Sequence, residues 1–309
     1  MIEFIIPDGA PPMRADRAVF LYCPSARAGE VRSAFNRRDV KRNGERIPPH
    51  ETVARGDHMA IYGVAERSDA QFTLDIIYED KNIIIINKPQ GMSVEPDAPG
   101  GFSLADAVRA RCGEAYACHR LDYQTGGLTL FAKNMEAYEC AADAFRRSTE
   151  AGVARGSAER KKIGISKAYH CQTVGTPEPP EGELLGYLIK DAKASQVRVL
   201  REPSPGARLA RTRYRVLTPG DIALVEAEPL TGRTHQIRAQ LADAGVPILG
   251  DDKYGNRPAN REARARTQRL WSVRITFYTN GALDYLYGKT FRVSAPFDGH
   301  ILSANKKEK

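Results

Sequence analysis

The segment H-R-L-D-Y-Q-T-G-G-L-T-L-F-A-K at residues 119–133 joins a charged turn to an apolar strand. It carries the carboxylate of Asp122 shortly before Gly126 and Gly127, where the backbone can approach a ligand closely. An aspartate in a turn can also simply accept hydrogen bonds from neighbouring backbone N–H groups. Taken alone, the segment favours this turn-capping role for Asp122 and leaves a chemical role open.

Short apolar and β-branched runs on both sides of this segment predict many strands. Leu74–Tyr78 and Asn82–Asn87 flank a polar turn and are typical of a buried hairpin. Further strands are predicted near residues 128–132, 169–174, 196–200, 213–217, 222–227, 273–277 and 290–294. Because strands outnumber helices, we expect an α+β chain whose main domain is built on a mixed, mainly antiparallel sheet.

Helix start and stop signals accompany these strands. Ser103 can cap a helix that runs through Arg111 and stops at Gly113, and Asn134 can cap another. A further helix is predicted after Gly232, where apolar residues recur at helical spacing.

Composition excludes several classes of protein. Hydrophobic residues make up 42% and charged residues 27% of the 309 residues, which is typical of a soluble globular chain. No apolar run approaches the roughly 18 residues of a membrane span, and Met1–Pro7 lacks the basic start of a signal peptide. The five cysteines form no C-x-x-C pair, and their odd number argues against a complete disulfide framework. A cytoplasmic protein with reduced thiols and no membrane association is therefore expected.

The chain is basic, with 46 lysines and arginines against 38 acidic residues and a net charge of +8. This balance favours a polyanionic partner, although many basic proteins bind no nucleic acid. The arginine-rich stretches 146–162 and 257–269 lack clear periodicity and are predicted to be loops. They either contact the polyanion or form ordinary solvated surface.

Residues 1–66 are predicted to form a separate module, residues 74–300 the main domain and residues 301–309 a basic tail. The module combines a helical unit with short strands and a tight turn at Asn43-Gly44. Its middle carries many basic side chains, namely Arg32, Arg37, Arg38, Lys41, Arg42 and Arg46. These side chains form either a binding surface or a solvated face.

The segment 119–133 closely resembles the signature of the RluA family of RNA pseudouridine synthases, in which the aspartate, here Asp122, is the catalytic residue. Three more segments match the family in the same order along the chain: Asn87–Gly91 (N-K-P-Q-G), Lys167–Tyr169 (K-A-Y) and Leu230–Arg238 (L-T-G-R-T-H-Q-I-R). The resemblance covers roughly residues 74–297, and four ordered matches are far more specific than one. It implies a catalytic domain with the pseudouridine synthase fold.

A second resemblance concerns the N-terminal module. The segments R-A-D-R-A-V-F-L at 14–21, V-K-R-N-G at 40–44 and G-D at 56–57 are similar to the alpha-L RNA-binding domain. This resemblance implies that the module is a small α/β domain that binds RNA.

The sequence departs from the RluA pattern at three places. Gly126 stands where the family has serine, and Gln240 follows Ala239 where the family has a histidine after a small residue. Around 268–272 the family-like L-x-H-A becomes Leu270-Trp271-Ser272-Val273, before which the segment 245–255 (G-V-P-I-L-G-D-D-K-Y-G) follows the family pattern. These departures indicate a divergent branch.

Conversion of uridine to pseudouridine breaks the N-glycosidic bond, turns the uracil and rejoins it to the ribose through carbon 5. An ionised carboxylate can attack carbon, abstract a proton or stabilise positive charge on the sugar, and the sequence leaves the order of these steps open. A nearby guanidinium favours the ionised form of Asp122. The resemblance makes Arg233 the first candidate for this partner and Arg238 the second, with a phosphate or surface contact as the alternative for either.

Other positions of the motifs carry expected roles. The resemblance assigns Tyr169 to the active site, where its ring can stack on uracil, although a strand tyrosine can also be core packing. A base must leave its helix or stacked loop to reach the aspartate, and the resemblance implies that Arg120 fills the gap; otherwise it makes nonspecific contacts. Lys88 and Lys167 either fix loop geometry or contact phosphates. His119 is interpreted as a structural residue.

The resemblance implies an enzyme that acts on uridine in structured RNA without a metal ion or an organic cofactor. Ribosomal RNA is the expected substrate, and transfer RNA stays open because the family modifies both. The alternatives are a noncatalytic RNA-binding factor that has kept the fold, and a nucleoside or glycoside hydrolase, which would need a second positioned acid. No obligate protein partner is implied, and a monomer is the default expectation.

Overall fold

The computed structural model describes residues 1–23, 28–64, 73–96, 103–153, 164–191 and 196–298. These residues divide into two compact units. The first lies within residues 1–75 and 91–115, and the second within residues 76–90 and 116–309. The predicted basic tail at 301–309 lies outside the described residues.

The first unit combines helices with two small sheets. Its elements are β1 (Ile2–Ile5), β2 (Met13–Arg14), α1 (Ala15–Tyr22), α2 (Ala28–Asn36), β3 (Val40–Arg42), β4 (Glu45–Arg46), β5 (Thr52–Val53), β6 (His58–Ile61) and α3 (Leu104–Cys112). An antiparallel sheet has the order β1-β6-β3-β4, and β2 pairs with β5. Asn43 and Gly44 have positive φ values of 50° and 89°, which confirms the predicted tight turn.

The core of this unit lies between the helices and the sheet. Val19, Val31, Val40 and Met59, from α1, α2, β3 and β6, are buried together.

The start of α3 is fixed by a capping box: the Ser103 hydroxyl accepts from the Asp106 N–H, and the Asp106 carboxylate accepts from the Ser103 N–H. The predicted helix from Ser103 is thereby confirmed.

The second unit is built on an 11-stranded sheet. Its strands are β7 (Ile76–Glu79), β8 (Ile83–Lys88), β9 (Tyr116–Ala117), β10 (Gly126–Ala132), β11 (Gly164–Val174), β12 (Glu181–Asp191), β13 (Gln196–Leu200), β14 (Arg208–Thr218), β15 (Ile222–Pro229), β16 (Leu270–Tyr278) and β17 (Thr290–Arg292). The order is β13-β12-β14-β15-β11-β16-β10-β8-β7, with β17 on β16 and β9 on β10. Only the β10–β16 pairing is parallel among the described strands. The predicted α+β class with a mixed, mainly antiparallel sheet is confirmed.

Three α-helices and a 3-10 helix complete the described part of this unit: α4 (Met135–Val153), α5 (Gln236–Asp243), α6 (Arg257–Glu262) and the 3-10 helix Gly281–Leu286. The Asn134 side chain accepts from the N–H of Ala137 at 2.8 Å and so caps α4 as predicted. Strands β8 and β10 are almost entirely buried, and the isoleucines at 83–86 pack into the interior. None of the described helices is long and apolar enough to cross a membrane.

Two loop predictions were wrong in part, and residues 263–269 form a loop as predicted. Residues 146–153 continue helix α4, and residues 154–162 lie outside the described part of the chain. Within 257–269, residues 257–262 form α6, whose start is fixed by Asn256 accepting from the N–H of Ala259. Strand β12 has no counterpart among the predicted elements, because Gly182, Gly186 and acidic residues interrupt its apolar pattern.

Candidate active site

The turn that carries Asp122 lies directly before β10 and is held by the segment that follows β8. Gln90 Nε2 donates to the carbonyl oxygen of Gln124 at 2.6 Å. Lys88 Nζ donates to the carbonyl oxygen of Tyr123 at 3.4 Å and to that of Pro89 at 3.0 Å. Two of the sequence segments singled out above therefore meet at one turn, although more than 30 residues separate them.

A second support for the turn comes from the start of β16. The backbone N–H of Thr125 donates to the carbonyl of Asp122 at 2.9 Å and closes the turn. The Thr125 hydroxyl accepts from Gln268 Nε2 at 2.8 Å, and both residues are buried. Gln90 Nε2 also donates to the backbone carbonyl of Gln268 at 2.5 Å. The turn is thus tied on two sides, which fixes the direction of the Asp122 side chain.

The end of the turn packs against an indole ring. Gly126 pairs with Trp271 where β10 and β16 run parallel. A Cβ atom on Gly126 would lie 2.2 Å from Cζ3 of Trp271, so the ring occupies the space of any side chain at this position. The indole Nε1 donates to Asn87 Oδ1 at 3.2 Å. Two departures from the RluA pattern, at 126 and around 271, are therefore parts of one packing arrangement.

Asp122 has Arg238 as its ionic partner. Arg238 Nη1 lies 2.8 Å from Asp122 Oδ2, and the other side of the guanidinium makes two bonds to Asp251, at 2.7 and 2.9 Å. The side chain of Asp122 is 28% exposed, whereas those of Arg238 and Asp251 are 5% and 0% exposed. The arginine is thus fixed from behind by a buried carboxylate and presents its remaining edge to Asp122, which reaches the solvent.

The charges of this buried pair stabilise each other. Burial alone would lower the pKa of Arg238, but the hydrogen bonds and charges of Asp251 and Asp122 outweigh it and raise that pKa above its ordinary value. Burial alone would likewise raise the pKa of Asp251, but Arg238 and the N–H groups of Tyr254 and Lys253 hold it below its ordinary value. Both groups are therefore charged at neutral pH, and Asp122 faces a permanent positive charge.

The prediction that Arg233 would contact Asp122 was wrong, and the second candidate, Arg238, makes this contact instead. Helix α5 begins at Gln236, so Arg238 lies on its buried face, whereas Arg233 lies before the helix. Arg233 Nε donates to the carbonyl oxygen of Leu209 at 3.1 Å. Arg233 still lines the cleft around Asp122.

His235 is a further neighbour of Asp122 that the sequence did not single out. It has a left-handed backbone conformation with φ 52°, and its Nε2 lies 3.8 Å from Asp122 Oδ2. Its Nδ1 lies 2.9 Å from the hydroxyl of Tyr254, and the ring of Tyr254 lies 5.3 Å from the guanidinium carbon of Arg238. Burial is the largest effect on the pKa of His235 and lowers it.

The cleft around Asp122 encloses about 470 Å³, including its part open to solvent. Six of the seven predicted site residues line it: Arg120, Asp122, Lys167, Tyr169, Arg233 and Arg238. Tyr169 lies on β11 at a bulge and is 6% exposed. Burial, followed by the negative charge of Asp122, raises the pKa of the Tyr169 phenol well above its ordinary value. The hydroxyl is therefore protonated at neutral pH.

The other basic residues of the motifs differ in exposure. Arg120 is exposed beside Asp122. Lys167 has its Nζ 5.1 Å from the ring centre of Phe145, and burial lowers its pKa to about 8. Lys88 has no exposed surface and does not line the cleft, so its position supports loop fixing and not a direct RNA contact. His119 accepts the N–H of Leu130 at Nε2, and burial lowers its pKa well below its ordinary value.

Gln240, the remaining departure from the RluA pattern, is a satisfied core residue. Its Oε1 accepts from the Thr212 hydroxyl at 2.7 Å, and its Nε2 donates to the carbonyls of Leu184 and Ala210. The side chain therefore links α5 to β12 and β14 and takes no part in the cleft. The departure changes the packing behind the site and leaves the groups around Asp122 in place.

Asp251 is the supporting residue that sequence reasoning missed. It lies in the segment 245–255, which followed the family pattern but had received no role. The spacing of the motifs did not predict its bidentate contact with Arg238. That contact forms because the turn at Asp251–Tyr254 brings Asp251 back onto α5. An acidic pair, Asp251-Asp252, directly after a glycine was the available signal.

Comparison with known proteins gives a consistent result. Residues 82–243 match the family described as RNA pseudouridylate synthase. The chain is 30% identical over 294 residues to "Ribosomal large subunit pseudouridine synthase C" of Yersinia pestis, covering 87% of this chain and 84% of that protein. It is 30% identical over 279 residues to the protein of the same name from Escherichia coli strain K12, covering 84% of this chain and 82% of that protein.

A solved structure shares the architecture. "Human RNA Pseudouridylate Synthase Domain Containing 4" superimposes with a TM-score of 0.57 and 25% sequence identity, covering 75% of this chain and 92% of that chain. The match of the family at 82–243 includes the Asp122 turn, β11 with Tyr169, and α5 with Arg238.

Proposed function

The chain belongs to the family of RNA pseudouridylate synthases, and on this basis we propose that it isomerises uridine in large-subunit ribosomal RNA at the cleft around Asp122. The observation that carries this proposal is the partly exposed carboxylate of Asp122 at 2.8 Å from the buried guanidinium of Arg238. The choice of ribosomal RNA rests on the names of the relatives from Yersinia pestis and Escherichia coli. Transfer RNA remains the alternative substrate.

Asp122 is the proposed catalytic residue. The reaction breaks the bond between N1 of uracil and C1′ of ribose, forms a bond between C5 and C1′, removes the hydrogen from C5 and protonates N1. An ionised carboxylate can attack carbon, stabilise positive charge at C1′ or take the C5 proton. Arg238 directs one oxygen of the carboxylate through a charge-assisted hydrogen bond.

Asp251 supports this arrangement as a positioning residue. A guanidinium that makes two parallel bonds to a carboxylate has a fixed plane and direction. Because Arg238 is held in this way from behind, the charge that faces Asp122 needs no reorganisation when the substrate binds.

Tyr169 is the proposed stacking partner of the uracil. Its aromatic ring offers a flat apolar face in the cleft, and its protonated hydroxyl can donate a hydrogen bond near neutral pH. Stacking of a base on an aromatic ring contributes about 1–3 kcal/mol, which helps to offset the few kcal/mol that extrusion of a base costs.

Arg120 and Lys167 are proposed to act on the RNA around the flipped nucleotide. Arg120 is exposed at the cleft. Its planar guanidinium can stack on the neighbouring bases in the space that the flipped base has left. Lys167 lines the cleft without a carboxylate at ion-pair distance among the described residues, so its amine is available for an anionic oxygen of the substrate. The N-terminal module, residues 1–66, is proposed to bind RNA outside the cleft.

The substrate is tested by incubating the purified full-length protein with unmodified transcripts of large-subunit ribosomal RNA and, separately, of transfer RNAs. Pseudouridine is then mapped by carbodiimide labelling and primer extension. We expect new stops at specific uridines of the ribosomal transcript. Modification of transfer RNA alone would replace the proposed substrate, and no modification of either RNA would contradict the proposed activity.

A further inference from the structure

Arg233 has hydrogen-bonding capacity that the described residues do not use. Its Nε donates to the carbonyl of Leu209 at 3.1 Å, which fixes the position of the guanidinium. Within the described part of the chain, neither Nη nitrogen has a hydrogen-bond acceptor, and no carboxylate lies at ion-pair distance. The group nevertheless lines the cleft that contains Asp122.

A second guanidinium lies close to this one. Arg208 directly precedes Leu209, the residue that holds Arg233, and it is exposed at the start of β14. Burial and then the positive charge of Arg208 lower the pKa of Arg233. Like Arg233, Arg208 has no carboxylate at ion-pair distance among the described residues, so neither of these two neighbouring positive charges is neutralised by an acidic side chain.

Other arginines of the same strand are neutralised by acidic residues. Arg211 lies 2.5 Å from Glu183, and Arg215 lies 3.5 Å from Glu226. The position of Arg208 differs from these because its neighbour is another arginine. Among these arginines of β14, the absence of a neutralising carboxylate is therefore specific to Arg208, at the start of the strand.

Two guanidinium groups in this position repel each other, and an anion bound between them removes this cost. A phosphate suits the geometry, because guanidinium groups bind it through pairs of parallel N–H bonds. In the RNA that enters the cleft, the group of this charge and shape is the phosphodiester. The unused Nη nitrogens of Arg233 are fixed and therefore lose little conformational entropy on binding.

We propose that Arg233, which lines the cleft that contains Asp122, and the neighbouring Arg208 form a subsite for one backbone phosphate of the RNA. The subsite rests on the proposed function and deepens it, since it fixes the register of the RNA strand relative to the carboxylate. Arg233 thus binds the substrate and does not act on the reacting uracil or ribose. Phosphate contacts position the RNA and carry no sequence information.

The test uses the full-length protein, a short uridine-containing stem-loop RNA as the binding probe, and the variants Arg233→Gln, Arg208→Gln and their combination. RNA affinity is measured from about 50 to 200 mM salt, because each lost phosphate contact reduces the slope of log K against log salt by about 0.7–0.9. We expect Arg233→Gln to weaken binding at least roughly tenfold at low salt, because it removes charge-assisted hydrogen bonds to a phosphate. In the double variant the magnitude of this slope should fall by about 0.7–0.9, which is the contribution of one phosphate contact.

Two results would overturn the subsite. An unchanged salt slope in the double variant would show that no phosphate is bound there. A decrease in the slope twice as large as that expected for one phosphate would show that each arginine binds a separate phosphate. Arg215→Gln serves as the matched control on the same strand, because its guanidinium is paired with Glu226, and its slope should equal that of the wild type.

A comparison of RNA affinity with the single-turnover rate distinguishes a role in phosphate binding from a role in catalysis. On the ribosomal transcript, Arg233→Gln should lower affinity much more than it lowers the single-turnover rate at saturating RNA. A rate lost by about a hundredfold or more with unchanged affinity would instead mean that Arg233 acts on the reacting groups. If the wild type forms no pseudouridine, the proposed activity fails, and the salt slopes still decide whether the phosphate subsite exists.

Discussion

Replacement of Gly126 with serine restores the residue typical of the RluA family and forces its side chain into the indole of Trp271. The added Cβ would lie 2.2 Å from Cζ3 and 2.5 Å from Cε3 and Cη2 of the ring, so the ring must shift by more than an ångström. Overpacking of a filled core costs about 1–3 kcal/mol. Loss of the 3.2 Å hydrogen bond from the indole to Asn87 adds about 1 kcal/mol. Gly126→Ser should therefore destabilise the protein by about 2–4 kcal/mol.

The assay is urea unfolding of the wild type, Gly126→Ser, Trp271→Ala and the double variant. In the double variant the serine occupies space that the indole has left, so the two effects should not add, with an interaction of about 0.5–3 kcal/mol. Leu188→Ala is the control, because Leu188 is buried in a different cluster from Trp271 and is not among the atoms nearest Gly126. Its combination with Gly126→Ser should be additive. A Gly126→Ser protein as stable as the wild type, or additivity with Trp271→Ala, would refute the reasoning.

Further predictions concern the groups around Asp122. Arg238→Gln should destabilise the protein by about 3–5 kcal/mol in urea, because it leaves the carboxylate of Asp251 buried without a counter-charge; a loss below 1 kcal/mol would contradict this. Tyr169→Phe should keep most of the single-turnover rate because the ring remains, whereas Tyr169→Ala should lose the roughly 1–3 kcal/mol of base stacking; equal rates for both variants would argue against stacking. Burial lowers the pKa of Lys167 to about 8, so the folded state binds fewer protons than the unfolded state between that pH and about 10.4. The stability of the wild type relative to Lys167→Met should therefore rise with pH across this window, and a flat difference would contradict the buried amine.

Local signals in the sequence were sufficient for much of the architecture. Ser103, Asn134 and Gly113 were identified as helix boundaries because capping depends on residues only a few positions apart. The hairpin of β7 and β8 followed from its apolar pattern, although β8 is buried and β7 only half-buried. Helix α6 was missed because its six residues are polar and are held by the Asn256 cap, not by an apolar face.

Contacts between distant segments could not be predicted in the same way. The motif L-T-G-R-T-H-Q-I-R contains two arginines, and the choice between them depends on where α5 begins. The left-handed conformation of His235 starts the helix late, so Arg238 and not Arg233 faces Asp122. Gly126 and Trp271 likewise looked like separate departures from a pattern, and only the parallel pairing of β10 and β16 shows that one compensates for the other.

The role of Asp122 is tested most directly by tritium release from RNA labelled at carbon 5 of uridine, because the new carbon–carbon bond expels that hydrogen. The full-length Asp122→Asn protein is compared with the wild type and with Asp243→Asn, which alters an aspartate at the end of α5 that does not line the cleft. We expect Asp122→Asn to fold and bind RNA but to release no tritium above background, and Asp243→Asn to match the wild type. Release by Asp122→Asn at a rate near that of the wild type would contradict a catalytic role for Asp122.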